Sequence, residues 1–238
     1  MLEAGLWALA AASTLVIGAL IGIYIPISRR LVALTMAFGA GALISALAFD
    51  LTEDAFNASN GIVVGVGLAV GALTFYFGNR LLNESRRGAG VEPATTSNGL
   101  ALALGALLDG IPESIVLGST LLGGAVISIP FLAAVAISNL PEAISSTVDL
   151  RREGHDPGWI VRLWIGVAIA SGAAAAIGYA LLGGMGASWV PLIQAFAAGA
   201  ILTMLVDTMI PEAFEGGGNQ TGLVTVAGFA MAFLLTTV

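Results

Sequence analysis

Long apolar runs alternate with short polar stretches from one end of the chain to the other. A helix that crosses the hydrocarbon of a bilayer needs about 20 consecutive apolar residues. Eight runs are long enough, so the pattern predicts an all-α, polytopic membrane protein whose 238 residues form a single transmembrane domain. The eight helices of this bundle are expected near 4–25, 31–51, 61–82, 99–121, 125–148, 159–182, 191–210 and 222–238.

The composition narrows the class of protein. The chain is 58% hydrophobic and 10% charged, whereas a soluble domain carries about 25% charged residues. It has no cysteine, and its single histidine, His155, lies in a polar loop, which excludes thiolate ligands and an imidazole-rich metal site. No Walker-type glycine loop appears, so ATP is not an expected partner. Nothing in the sequence points to an organic cofactor or to a nucleic acid.

The arginines predict the orientation in the membrane. All eight basic residues are arginines, and with eight helices they fall on the connections between helices 1 and 2, 3 and 4, and 5 and 6. The positive-inside rule then places this side in the cytoplasm. We expect a multi-pass protein of the cell inner (plasma) membrane with both termini outside the cytoplasm. The first residues lack the basic segment of a cleaved signal peptide, so the first apolar run is expected to remain as a helix.

Two similar acidic motifs lie inside predicted helices 4 and 5. The first Pro-Glu motif is Asp109-Gly-Ile-Pro-Glu113, and the second is Ser138-Asn139-Leu-Pro-Glu142. A charge at membrane depth costs roughly 3 kcal/mol, so such residues normally face a bundle interior or a water-filled path. Asp109 and Glu113 stand at i and i+4, which puts both carboxylates on one helix face. The two motifs together therefore predict a cation site between these helices.

The prolines of the motifs contribute to the same prediction. A proline inside a helix has no N–H to donate to the carbonyl of residue i−4. Pro112 and Pro141 are therefore expected to kink helices 4 and 5 and to free the carbonyls of Leu108 and Ile137 beside the carboxylates. Interrupted helices that carry polar groups are typical of transporter binding sites.

Three further acids are candidates for a pathway or a gate. Asp207 and Glu212 belong to a third motif, Asp207-Thr-Met-Ile-Pro-Glu212, at the end of predicted helix 7, and Asp50 ends predicted helix 2. Each also has a simpler interpretation, because acids at helix ends are commonly solvated or lie at ordinary helix interfaces.

At these residues the chain resembles the ZIP (Zrt/Irt-like) family of divalent-metal transporters, in its bacterial branch. That family carries a His-Asn-x-Pro-Glu-Gly motif in helix 4 and a related x-x-x-Pro-Glu-Gly motif in helix 5. It has eight helices, external termini and a cytoplasmic loop between helices 3 and 4. The resemblance extends over the whole chain and includes Ala37-Phe-Gly-Ala-Gly-Ala-Leu before Asp50, and Ala197-Ala-Gly-Ala before Asp207.

The resemblance implies a secondary transporter, and not an enzyme, whose substrate is a divalent cation of the zinc, iron or manganese class. This chain has Asp109 and Gly110 where the family has His and Asn, and Ser171 is the only polar residue at depth in predicted helix 6, where two-metal members have a carboxylate. The implied site is therefore a single all-oxygen site, a type that suits harder cations than zinc. Its implied metal ligands are Asp109, Glu113 and Glu142, with Ser138 or Asn139 as auxiliary oxygens.

Other interpretations of the same residues stay open. Glu113 and Glu142 could be protonated structural glutamates, Asp109 could serve as a proton relay or counter-charge, and Ser138 and Asn139 could hydrogen-bond between helices. The chain could also be a non-transporting or sensing homologue. An intramembrane hydrolase is disfavoured because the chain lacks lysine and a histidine at depth. The expected partners are the metal cation and the lipid bilayer, and a homodimer is one option for the oligomeric state.

Overall fold

The computed structural model describes residues 1–88, 99–122 and 127–236, and these residues form helices with no strand among them. Two of the long helices continue through a π-helical turn into a short α-helix, and one of the connections is a 3-10 turn, Ala187–Trp189. The helices are α1 (Leu2–Tyr24), α2 (Arg29–Ala46, followed by the π turn Leu47–Thr52), α3 (Glu53–Asn57), α4 (Gly61–Gly88), α5 (Gly99–Ser119), α6 (Ile129–Arg152), α7 (Pro157–Gly183), α8 (Val190–Met204, followed by the π turn Leu205–Met209), α9 (Ile210–Gly217) and α10 (Thr221–Thr236).

Six helical stretches within the described residues are long and apolar enough to cross a membrane. The prediction of a helical membrane protein is thereby confirmed. The longest of these stretches has 47 residues, Val190–Thr236, and it turns between α9 and α10 at Gly218, which has a φ of 61°. Glycine takes this left-handed conformation without a steric penalty. The stretches are Leu2–Tyr24, Arg29–Asn57, Gly61–Leu81, Ile129–Arg152, Pro157–Gly183 and Val190–Thr236.

The helices pack in two groups. In the first group, α1 lies against α6 and α7, and α5 lies against α6 and α7. In the second, α2 packs on α10 and α4 packs on α8, with α9 against α2. The groups meet chiefly where α2 crosses α6, and also where α5 contacts α8 and α10 contacts α6. A Cβ on Gly39 there would stand 2.9 Å from the Cα of Ser138, so glycine permits the backbones of the two helices to come into contact.

The α2–α10 pair crosses through reciprocal glycine contacts. A Cβ built on Gly41 of α2 would overlap the carbonyl of Thr225 on α10, and one on Gly228 of α10 would overlap the carbonyl of Phe38 on α2. Each glycine therefore lets the partner's carbonyl oxygen approach its Cα, the geometry in which Cα–H···O contacts form between helices.

The α4–α8 pair repeats this arrangement. A Cβ on Gly71 of α4 would overlap the carbonyl of Phe196 on α8, and one on Gly199 of α8 would overlap the carbonyl of Leu68 on α4. In both pairs, the carbonyl belongs to the residue three positions before the partner's glycine. These contacts relate α2 to α8 and α4 to α10, so α2 with α4 and α8 with α10 form two repeats of one packing arrangement.

When α2 is aligned with α8 and α4 with α10 on these glycine contacts, the sequences of the two repeats share several identical residues. Ala37, Phe38, Ala40, Gly41 and Ala42 in α2 match identical residues at 195, 196, 198, 199 and 200 in α8. The α4 and α10 regions share only glycines, Gly61, Gly65 and Gly71 against Gly218, Gly222 and Gly228. The sequence pattern predicted only the local repeat of the Pro-Glu motifs.

The two π turns occupy corresponding places in the repeat. Leu47–Thr52 follows α2 and Leu205–Met209 follows α8. Predicted helices 2 and 7 end at about residues 51 and 210, whereas the observed helices continue through the π turns to Asn57 and Gly217. Pro211 does not stop the second of these helices; it follows the π turn directly, as the second residue of α9.

Candidate functional site

The two Pro-Glu motifs lie on α5 and α6, which pack against each other. Pro112 is inside α5, which continues to Ser119, and Pro141 is inside α6, which continues to Arg152. The adjacency of the two motif-bearing helices agrees with the sequence pattern, and their kinks stay a prediction.

Three of the described motif side chains, those of Glu113, Ser138 and Asn139, are buried in the protein interior. Glu113 is only 3% exposed and Asn139 5%. Ser138 is also buried, and Glu142 is half-buried. An ionisable side chain buried in the middle of a membrane-crossing bundle is costly to keep there unless other groups offset its charge. The position of Glu113 therefore calls for a functional or structural partner within the bundle.

Ser138 stands at the crossing of the two helix groups. Its Oγ donates a 2.9 Å hydrogen bond to the carbonyl of Val135 within α6. The hydroxyl oxygen keeps lone pairs that a cation could use. Since Gly39 of α2 lies directly against the Ser138 backbone, a cation bound here would be close to both helix groups.

Asp109, the third proposed carboxylate, lies on α5, but its side chain is outside the described residues. Among the side chains that the structure describes, no group of three or more His, Asp or Glu residues is placed to hold a metal ion. The convergence of Asp109 with Glu113 and Glu142 on one cation therefore stays a prediction.

A buried hydroxyl group, that of Ser171, lies beside the first motif. Ser171 on α7 is buried, and its Oγ has no hydrogen-bond partner among the described atoms. A Cβ on Gly110 of α5 would be 3.3 Å from this oxygen. Buried polar atoms normally have a partner, and this oxygen lies directly against the first motif. Sequence reasoning had singled out Ser171 only as the polar residue of predicted helix 6.

The three pathway candidates lie at or after the π turns. Asp50 belongs to the first turn; its Oδ2 is buried and has no hydrogen-bond partner among the residues that the structure describes, and its carboxylate lies beside Ser128 at the start of α6. Asp207 belongs to the second π turn and is exposed. Glu212 on α9 accepts a 2.9 Å hydrogen bond through Oε1 from the Oγ of Ser145 on α6. Asp50 and Glu212 thus lie near opposite ends of the same helix.

Ser145 is a residue that the sequence pattern did not single out. It follows Glu142 by three positions on α6, so the two side chains share a helix face. In the sequence, only this spacing connects Ser145 with the motif. Because serines are frequent in this chain, the spacing does not distinguish Ser145 from the others. Only the structure brings Ser145 to Glu212, which lies 67 residues further along the chain.

No known family model matches this chain, and no characterised protein matches its sequence.

Proposed function

We propose that this protein is a secondary transporter that carries a divalent metal cation across the membrane through an all-oxygen site between α5 and α6. The observation that supports the proposal best is the burial of Glu113, which is 3% exposed in the interior of a membrane-crossing bundle. The adjacent helix α6 carries a second Pro-Glu pair, Pro141-Glu142. A dication would offset the charge of such carboxylates, and removing the cation's water requires several oxygen ligands.

The site that we propose combines both motifs. Asp109, Glu113 and Glu142 are the metal ligands, and Ser138 or Asn139 supplies an auxiliary oxygen. This assignment rests on the resemblance to the ZIP family together with the burial of Glu113, Ser138 and Asn139. The aspartate in place of histidine favours manganese and iron relative to zinc more than a nitrogen-containing site would.

The proposed topology has eight spans. The six long stretches become eight when α5 is added and when Val190–Thr236 is divided at Gly218 into α8–α9 and α10. The arginines then lie on one side, which we assign to the cytoplasm of a cell whose plasma membrane holds the protein, with both termini outside. With eight spans, α2 and α4 run opposite to α8 and α10, so the two repeats are inverted. Inverted repeats are common in secondary transporters.

The test of the proposal is transport by the pure protein. Proteoliposomes that contain a metal-sensitive dye are exposed to zinc, iron(II) or manganese, and protein-free liposomes serve as the control. We expect saturable uptake of at least one of these cations without ATP. Uptake no faster than in protein-free liposomes for all three cations would reject the proposal.

A further inference from the structure

The short helix α9 is joined to the bundle through irregular backbone at both of its ends. The π turn Leu205–Met209 precedes it, and Gly218, with a φ of 61°, follows it. π-Helical turns often occur at functional sites, and hinges are a few residues at element ends that absorb changes in φ and ψ. The backbone on either side of α9 is therefore of the kind that allows a short segment to move as a unit.

One face of α9 is held by α2. A Cβ on Gly216 would be 2.6 Å from the Cβ of Ala33, and one on Gly217 would be 3.1 Å from Leu34. This close packing makes α9 part of the second helix group. Any motion of α9 relative to the first group therefore has to change the contact that α9 makes with α6.

That contact is the hydrogen bond between Ser145 and Glu212. Ser145 Oγ donates to Glu212 Oε1 at 2.9 Å, in an exposed setting. α6 itself belongs to the first group, since Gly18 of α1 lies so close to α6 that a Cβ there would be 2.9 Å from Ala143. The hydrogen bond thus joins the two groups, and neither of its partners is fully buried within the protein.

The position of this hydrogen bond along α6 relates it to the candidate site. α6 ends at Arg151 and Arg152. Ser145 lies three residues nearer to this end than Glu142 does, and three residues correspond to about 5 Å along the helix axis. The hydrogen bond therefore lies between Glu142 and the arginine end of α6. The opposite end of α6 has a related contact, because Asp50 of the first π turn lies beside Ser128.

We propose that the Ser145–Glu212 hydrogen bond closes the arginine side of the candidate site and opens once in each transport cycle, when α9 shifts with α2 along α6. This inference rests on the proposed transport function. Glu212 thereby acts as a gate residue and not as a ligand of the resting site. Ser145 is the residue that positions it.

The absence of cysteine from the chain permits a direct test by cross-linking. The two cysteines of the double variant Ser145→Cys, Glu212→Cys are joined with a short bis-methanethiosulfonate, which forms a disulfide with each thiol and releases two methanesulfinate ions. The protein is then reconstituted in liposomes, and metal uptake is measured before and after the disulfides are reduced. We expect the cross-link to lower uptake at least about tenfold, with recovery on reduction, because closure is then permanent. Equal uptake in the cross-linked and reduced protein would overturn the proposal.

The matched control is the pair Arg30→Cys, Gln220→Cys. The side chains of Arg30 and Gln220 are also joined by a 2.9 Å hydrogen bond, but both residues belong to the second helix group. Cross-linking this pair should change uptake by less than about twofold, since no gating motion separates the two residues. A loss of uptake equal to that of the first pair would show that cross-linking on this side is harmful in itself, and it would contradict the specific role of Ser145 and Glu212.

A second measurement does not depend on metal transport. Spin labels are attached to each cysteine pair, and the distance distribution is recorded in liposomes. We expect two populations for 145 and 212 and a single one for 30 and 220. A single short distance for 145 and 212 would overturn the gate even if the protein transports metal, whereas two populations without any uptake would retain the motion and reject the transport function instead.

Discussion

At the scale of single residues, the chain places oxygen-bearing side chains in an interior that is otherwise apolar. Glu113, Ser138 and Asn139 are buried together with large aliphatic residues such as Leu117 and Val135. The sequence predicted this correctly, because the cost of a charge in hydrocarbon leaves few places for it other than the bundle interior. Which atoms meet there depends on side-chain geometry, and spacing along one helix does not determine it.

Asp109 leads to a prediction about selectivity. Replacing a carboxylate by imidazole exchanges a hard, charged oxygen for a neutral, softer nitrogen. We expect Asp109→His to raise the uptake of zinc relative to manganese in liposomes that receive both cations, by about tenfold, which corresponds to roughly 1.4 kcal/mol. An unchanged ratio would show that Asp109 is not a metal ligand.

Trp164 leads to a prediction about stability. Its Nε1 donates a 2.9 Å hydrogen bond to Thr147 Oγ1, and both residues are completely buried between α7 and α6. Trp164→Phe would leave the Thr147 hydroxyl without this donor and is expected to lower the free energy of unfolding by about 1–3 kcal/mol. The check is the melting temperature in detergent, with Trp189→Phe, at a residue that is 48% exposed, as the control. Equal melting temperatures for the two variants would contradict this assignment.

At the scale of helices, the apolar pattern predicted which segments form long helices more accurately than it predicted the residues at which those helices end. Hydropathy responds to the length of an apolar run and not to whether a backbone N–H bonds to residue i−4 or i−5. The π turns at Leu47–Thr52 and Leu205–Met209 were therefore not predicted, and neither were the short helices that follow them.

The fold-level repeat was missed for a related reason. Residues that face lipid are required only to be apolar, so they can differ between the two halves, and the shared signal lies in the glycines at the two crossings. Gly71 and Gly228 occupy matching positions in α4 and α10, but single glycines in a chain with 32 of them do not stand out until the structure pairs them.

The crossings give a prediction about helix packing. Gly71→Ala and Gly228→Ala each place a methyl group on a backbone carbonyl of the partner helix. We expect each substitution to lower the free energy of unfolding by about 1–3 kcal/mol, as overpacking does. Thermal melting in detergent is the measurement.

The matched controls for this prediction are Gly65→Ala and Gly222→Ala, on the same two helices. A Cβ at either position meets no atom of the described residues within 4 Å, and alanine favours the helix over glycine by about 1 kcal/mol. These controls should melt at or above the temperature of the unchanged protein. Similar losses in all four variants would contradict the close crossings.

At the scale of the whole molecule, two groups of helices form a membrane bundle, and the first group buries polar side chains of α5 and α6. The class of protein followed from the sequence, because six described stretches are apolar over membrane-crossing lengths. The division into two groups did not, since it depends on which helices touch, and hydropathy contains no information about that. The hydrogen bond between Ser145 and Glu212 joins the two groups, and it is the contact that we expect to change during the proposed transport.

The central claim is that the buried carboxylate of Glu113 binds the transported cation. The most direct measurement compares metal uptake by liposomes that contain the unchanged protein, Glu113→Gln or the control Glu3→Gln, at an exposed position in the first turn of α1. Glutamine keeps the size of the side chain and removes the charge that offsets a dehydrated dication. The account predicts that uptake falls at least about 100-fold in Glu113→Gln, while Glu3→Gln transports normally and both variants keep the melting temperature of the unchanged protein within a few degrees. Normal uptake by a folded Glu113→Gln protein would contradict the account.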